Sequence, residues 1–436
     1  MTSVRLMKQA LGTLAIALAL VVAGCDGGDS ANVTSARTGE GRSTGGLTPG
    51  STVISGSSSS SGFSFNSDAN SSPTVTANVV AVTVGSNPFG NVNIPMASVT
   101  ICVPGTTSCQ TVDNVMVDTG SYGLRLMASA VTLALPQSSA ANGGALVECA
   151  AFGSGVTWGS VRTADVKLAG EIAAGLPIQL IGDSNYSTVP TDCSNQGSTV
   201  LNTASVLRAN GILGVGAQSA DCPACTGTGT AYPIYFNCSS ASSCGATNVA
   251  SALQVSNPVS RFATDNNGVV VALPSVPSTG STNVSGTLTF GIGTQSNNVV
   301  GSATIYQTAA SSYTFNTVYG NTTYSYSFID SGSNGLFFSD ASIPQCNGNS
   351  APFYCPTSSL ALSATIKGLN GATALIRFGV ANMQTLVASG AWAMNDLAAS
   401  VSGVFDWGLP FFFGRTVYVA IAGQSTPSGT GPYVAF

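Results

Sequence analysis

The chain has 436 residues, 7% of them charged, with 12 basic against 17 acidic side chains and no histidine. It is long enough for two lobes with separate cores, and a formal charge of -5 leaves no electrostatic footprint for nucleic acid. The missing histidine excludes a Ser-His-Asp triad, a Cys-His pair and a histidine-ligated zinc. Acid–base catalysis then falls to carboxylates, or less readily to Lys or Tyr.

At the N-terminus Arg5 and Lys8 precede an apolar run from Ala10 to Val22, and Val22-Ala23-Gly24 leads into Cys25. A basic start, a short apolar core and small residues before a cleavage point describe a secretory signal rather than a membrane span. Small residues ending in cysteine resemble the lipobox of bacterial lipoproteins. That resemblance implies that residues 1–24 are removed and that Cys25 becomes the acylated, membrane-held first residue. The expected location is the cell envelope, on the inner or outer membrane, facing the periplasm or the exterior. Asp26 after Cys25 favours the inner membrane under the enterobacterial sorting rule. From residue 25 to 73 the chain is rich in Ser, Gly, Thr and Asn without an apolar period, and reads as a flexible tether. About fifty such residues span roughly 40 Å, enough to hold a folded body clear of a bilayer.

Setting Cys25 aside from the 11 cysteines leaves an even number, which beyond the inner membrane are expected to pair. Close spacing suggests Cys102–Cys109 and Cys346–Cys355, with Cys149–Cys193 a further candidate. Cys222, Cys225, Cys238 and Cys244 form a local cluster whose connectivity stays open. Cys222 and Cys225 also match a redox or zinc spacing, but no thioredoxin-like βαβ pattern surrounds them.

After Thr74, short apolar or alternating runs bounded by Gly, Asn, Pro and Ser predict strands over Ala77–Val84, Val115–Val117, Val161–Leu168, Gly268–Leu273, Thr287–Phe290, Tyr324–Ile329 and Thr416–Ala422. Short helices are expected at Thr203–Arg208, Val249–Val255 and Ala381–Ala388. Asp265-Asn266-Asn267-Gly268 lacks the later bidentate acid of a calcium loop and reads as a hairpin turn.

One internal echo carries chemistry. Val115-Met116-Val117 runs into Asp118-Thr119-Gly120-Ser121, and Phe328-Ile329 runs into Asp330-Ser331-Gly332-Ser333. A single such turn is only a turn motif. Two copies, each fed by an apolar strand, resemble the paired acid turns of pepsin-like aspartic proteases. That resemblance extends in order along the chain. Phe152-Gly153-Ser154-Gly155 is similar to the flap hairpin over the substrate, and Asn210 to Gly216 to the segment threading beneath the first turn. Gly286 to Gly291 is similar to the strand opening the second lobe. Trp407 to Arg415 and Thr416–Ala420 are similar to that lobe's threading segment and terminal strand.

The resemblance implies an all-β, two-lobed fold with few short helices, an N-terminal lobe over 74–275, a C-terminal lobe over 276–436, and the active-site cleft between them. It makes Asp118 and Asp330 the catalytic dyad sharing one proton. The Thr119 and Ser331 hydroxyls are expected to bond across to the opposite turn, with Ser121 and Ser333 on the outer carboxylate oxygens. Gly120 and Gly332 permit the tight turn. The implied activity is that of a monomeric, membrane-anchored aspartic endopeptidase acting on polypeptides without metal or cofactor. Two departures stand out: the family's flap tyrosine falls on Phe152, and its tryptophan partner on Arg125. They keep open a second reading, a noncatalytic lipoprotein of this fold that binds a peptide or other ligand in the cleft. A third is an unrelated β-rich surface protein.

Overall fold

The computed structural model describes residues 77–436; the leader, Cys25 and the tether lie outside the described residues. Strands dominate, and they form where small β-branched residues alternate with polar ones. In Val79–Gly85, Val82 and Val84 point inward while Ala81 and Thr83 face solvent, the period-two pattern of a strand with one wet face. The expected strands are present with shifted ends, as Cys109–Asp118, Gly155–Leu168, Gly268–Leu273, Asn283–Phe290, Thr322–Ile329 and Arg415–Ala420.

Two of the three expected helices form, as Ala204–Leu207 and Met383–Ala388, each N-capped by the side chain before it, Thr203 and Asn382. The third does not. Within 249–255 only Ser251–Leu253 coils, as a single 3₁₀ turn. The ends of that segment hydrogen-bond to a neighbouring loop instead, Val249 N to Cys225 O and Asp221 N to Val255 O. The hairpin expected at Asp265 is also corrected. Asp265 accepts from Thr294 and Gln295, and Asn267 exchanges hydrogen bonds with the Ile292 backbone, so the loop clasps a distant turn.

A 15-stranded sheet carries most of the first half of the chain, and a 7-stranded sheet holds the second acid's strand. The large sheet does not stop at residue 275. Asn283–Phe290 pairs with Val79–Gly85 and with Gly268–Leu273, and Arg415–Ala420 joins the other side of Gly268–Leu273. One continuous sheet therefore ties the two halves together. The smaller sheet packs an aromatic core in which the Trp407 ring lies 4.5 Å from Phe405 and 5.4 Å from Phe411. The indole N–H of Trp407 is satisfied by Thr317 Oγ1 at 3.0 Å.

Five disulfides close, Cys102–Cys109, Cys149–Cys193, Cys222–Cys225, Cys238–Cys244 and Cys346–Cys355. The three suggested pairs form, and the open cluster resolves into its two nearest-neighbour pairs. Cys222 and Cys225 are thus joined to each other.

Candidate active site

Each acid sits at the end of a strand that splits from its neighbour around a third, threading strand. Cys109–Asp118 runs parallel to Gly211–Val215, with Asp118 opposite Gly214, and the strand after the turn, Tyr122–Met127, lies antiparallel on the other side of the threading strand. The second lobe repeats the plan. Thr322–Ile329 runs parallel to Phe405–Trp407, and Leu336–Phe337 lies antiparallel to it. Residues 115–118 are buried throughout, which explains why the approach to the acid reads as an unbroken apolar run.

The two turns grip one another. Thr119 N donates to Ser331 Oγ at 3.1 Å and Ser331 N to Thr119 Oγ1 at 3.0 Å. The hydroxyls continue across the interface, Thr119 to Ile329 O at 3.2 Å and Ser331 to Val117 O at 2.7 Å. Every donor in this set is matched, so the hydroxyls are buried without an orphaned group. Within each turn the inner carboxylate oxygen accepts from the glycine N–H, Gly120 to Asp118 at 2.8 Å and Gly332 to Asp330 at 2.7 Å. The outer oxygen accepts from the serine, Ser121 to Asp118 at 2.5 Å and Ser333 to Asp330 at 3.0 Å. These contacts are where the structure places the hydroxyls of Thr119, Ser331, Ser121 and Ser333.

The glycines are required by the opposite acid. A Cβ on Gly120 would lie 2.5 Å from Asp330 Cγ, and one on Gly332 would lie 2.8 Å from Asp118 Cγ. Each carboxyl therefore rests on the other turn's backbone, which brings the two acids to one place. Burial first, then the charges of Asp118 and Asp406, push the Asp330 carboxyl well above the usual carboxylate range. Asp330 still shows an exposed edge to the cleft, so depth within the protein and access from the cavity coexist.

The dyad forms the floor of a cavity of about 290 Å³ whose walls are mostly apolar, including Met116, Ile212, Phe328, Phe337 and Val404. Phe152 lies over it at the tip of the hairpin of Ala145–Phe152 and Gly155–Leu168, with Gly153 and Ser154 in the turn. Gly155 sits at φ 152°, where a Cβ would be 2.2 Å from Thr199 O. Phe152 packs beside Met116 and Ile212, and the Arg125 guanidinium lies 5.6 Å from its ring centre. Arg125 thus supports the flap residue in a different way from a tryptophan.

Arg125 is itself held in a buried network assembled from residues far apart in the chain. Its Nη2 donates to Glu148 at 2.6 Å and Asp221 at 2.9 Å, and its Nη1 to Tyr122 O at 2.6 Å. The Tyr235 hydroxyl donates to Asp221 at 2.6 Å. Burial and the adjacent Glu148 raise the Asp221 carboxyl well above its ordinary value. One guanidinium facing two carboxyls, with Asp221 inclined to keep its proton, leaves the cluster close to neutral.

Two more residues bear on the site without having been singled out. Tyr122 follows Ser121, lines the cavity, and stacks edge-on to Tyr313 at 5.8 Å. Burial, then Tyr313 and the two acids, raise its phenol above the usual range. Asn93, fully buried, donates to Asn334 O and Met394 O at 2.8 Å each and pins the first half of the chain beneath the second acid turn.

Residues 74–436 match the profile of a family described as "Protein of unknown function (DUF3443)". The chain belongs to that family. A comparison with curated proteins gives no match. Among solved structures the chain is similar to an aspartic proteinase from Irpex lacteus, at 16% identity and a TM-score of 0.44, covering 82% of this chain and 96% of that one. For this family member, the chemistry of the site stands on its own geometry.

Proposed function

We propose that the chain is an aspartic endopeptidase, held to a membrane of the cell envelope through Cys25. The observation that carries the reading is the gripped pair of turns, which seats each carboxyl against the opposite turn's glycine at the floor of a largely apolar cleft. Two such carboxyls retain one proton between them, because ionising both at that separation is too costly. A water bound between them gives a proton to the ionised carboxyl as its oxygen attacks the peptide carbonyl. The protonated carboxyl gives its proton to the carbonyl oxygen, and a tetrahedral diol results. Collapse of the diol breaks the C–N bond as the protonated carboxyl gives its proton to the departing nitrogen and the ionised one takes a proton from a diol hydroxyl, so that the dyad again holds one proton.

The cleft walls favour apolar side chains on either side of the cut, and Phe152 shields the reacting atoms from bulk water. The anchoring part of the proposal rests on the basic residues, apolar run and small residues before Cys25. Its test is fractionation, in which Cys25→Ser is expected in the soluble fraction and the wild type with membranes. The noncatalytic reading draws on the phenylalanine at the flap, which brings no hydroxyl to the site. A peptide-library digest with the purified full chain across pH separates the two. Cleavage between apolar residues supports the endopeptidase, and intact peptides at every pH overturn it.

A further inference from the structure

Asp406 lies in the threading strand Phe405–Trp407 of the second lobe. Its neighbours Phe405 and Trp407 both enter the aromatic core, so strand alternation turns Asp406 to the opposite, cleft-facing side. There it stands in register between Phe328 and Phe337, and all three line the cavity. Phe328 leads through Ile329 into Asp330, so this acid stands beside the dyad rather than at the rim of the cleft. Asp406 is 1% exposed, and neither carboxylate oxygen has a hydrogen-bond partner.

It is one of three such residues on the same wall. Asn334 Oδ1 and Thr308 Oγ1 are also buried, also without a partner, and their residues line the same cavity. All three belong to the second half of the chain, whereas the first-half wall, with Ile94, Met116 and Ile212, contributes no atom of this kind. The Asp406 oxygens and Asn334 Oδ1 can only accept, and a threonine hydroxyl accepts as readily as it donates. Buried acceptors left unmet are costly, and a wall that gathers them suits a ligand group rich in donors.

The charge of the lining decides between a neutral donor and a cation. Among the described residues that line the cavity, three are acids, Asp118, Asp330 and Asp406, and Arg208 is the one base. Burial first, and the charge of Asp118 beside it, hold the Asp406 carboxyl well above its ordinary value. Arg125, equally buried, has its counter-charges in Glu148 and Asp221; for Asp406 the fold supplies none among the described residues. A cation brought in by the substrate would supply it.

We infer that Asp406 is a specificity-determining residue that receives the ammonium or guanidinium of a substrate Lys or Arg flanking the cut. The methylene stem of such a side chain lies against Phe328 and Phe337, and only its end meets the acid. An apolar wall and a basic residue are thereby compatible on one side of the cut, while the first-half wall takes an apolar side chain on the other. The inference rests on the endopeptidase reading and names the substrate class of that site.

The test uses the full chain in detergent and two readouts. In the first, peptides carrying lysine at either residue flanking the cut are compared with copies carrying norleucine, which keeps the stem and lacks the ammonium. The wild type is expected to prefer lysine at one of the two positions by about 10- to 100-fold in kcat/KM, the worth of one charge-assisted hydrogen bond. Asp406→Asn, close in shape, is expected to lose that preference, and Asp406→Leu to favour norleucine. Equal cleavage of the pair by the wild type overturns the inference and leaves the endopeptidase reading standing. A lysine preference that survives in Asp406→Asn also overturns it, since attraction to the dyad alone would then account for the selection. The second readout is binding of the same pairs with an uncharged hydroxyethylene group in place of the scissile bond. If the wild type cleaves nothing, the endopeptidase reading fails, and the binding ratio of lysine to norleucine still decides whether Asp406 receives a cation: a ratio near one sinks it.

Discussion

The two acid turns repeat each other down to their hydrogen bonds, yet the strands behind them differ at one matched position. In the first lobe Ile212 stands in register between Met116 and Arg125; in the second Asp406 stands between Phe328 and Phe337. Each lobe thus brings one charged residue type to this row, of opposite sign and from a different strand. Arg125 is compensated by Glu148 and Asp221, and it acts on the flap through the Phe152 ring. Asp406 has no compensating partner. A buried cation with its counter-charges supplied can stay ionised, whereas a buried acid without a cation is costly to ionise and is inclined to keep its proton.

That contrast can be broken from either side. The largest effect on stability is expected from Arg125→Met, which strands Glu148 and Asp221 as buried acids without their cation. A loss of about 3–5 kcal/mol in urea unfolding is expected, and a loss under about 1 kcal/mol would show that the network is not what holds the flap side together. The next is a pH effect. Asp406, Asp330 and Asp221 carry folded-state values raised above the unfolded one. Their contribution is fully present below the ordinary carboxylate range and is lost as pH rises toward the raised values. Asp183, held low by Ser160 and Arg162 against the opposing effect of burial, works the other way, its contribution present above the ordinary value and lost as pH falls. Asp406→Asn is therefore expected to raise Tm at about pH 7 and to change it little near pH 4. An equal shift at both would mean that Asp406 binds no extra proton on folding. The smallest is Phe152→Leu, which keeps an apolar cover but removes the ring beneath Arg125, at about 0.5–1 kcal/mol by thermal unfolding.

Much of this site was legible in the sequence because its chemistry is local. Asp118, Asp330 and their hydroxyl and glycine neighbours lie within two four-residue turns, and the structure gives those residues the hydrogen bonds expected of them. The strand segments were legible for the same reason, through alternation and turn residues. Asp406 was not singled out, because between Phe405 and Trp407 it reads as an irregular spot in an aromatic segment. Strand parity was the available signal, since two core aromatics flanking an acid put that acid on the other face. Arg125 was noted as a departure, but Glu148 and Asp221 come from separate elements and only folding brings them together. The continuous sheet was hidden likewise, as Val79–Gly85 pairs with Asn283–Phe290 from far along the chain.

The central claim is that Asp118 and Asp330 act as one proton-sharing pair that cuts peptides. Its most direct test compares cleavage of one optimised peptide by the wild type, Asp118→Asn and Asp330→Asn across pH. The wild type is expected to give a bell-shaped profile, falling in acid as the pair gains a second proton and in alkali as Asp330 loses its own. Each variant is expected to lose on the order of 10²–10⁴-fold in kcat at every pH. Cleavage that survives undiminished in either variant would contradict the account.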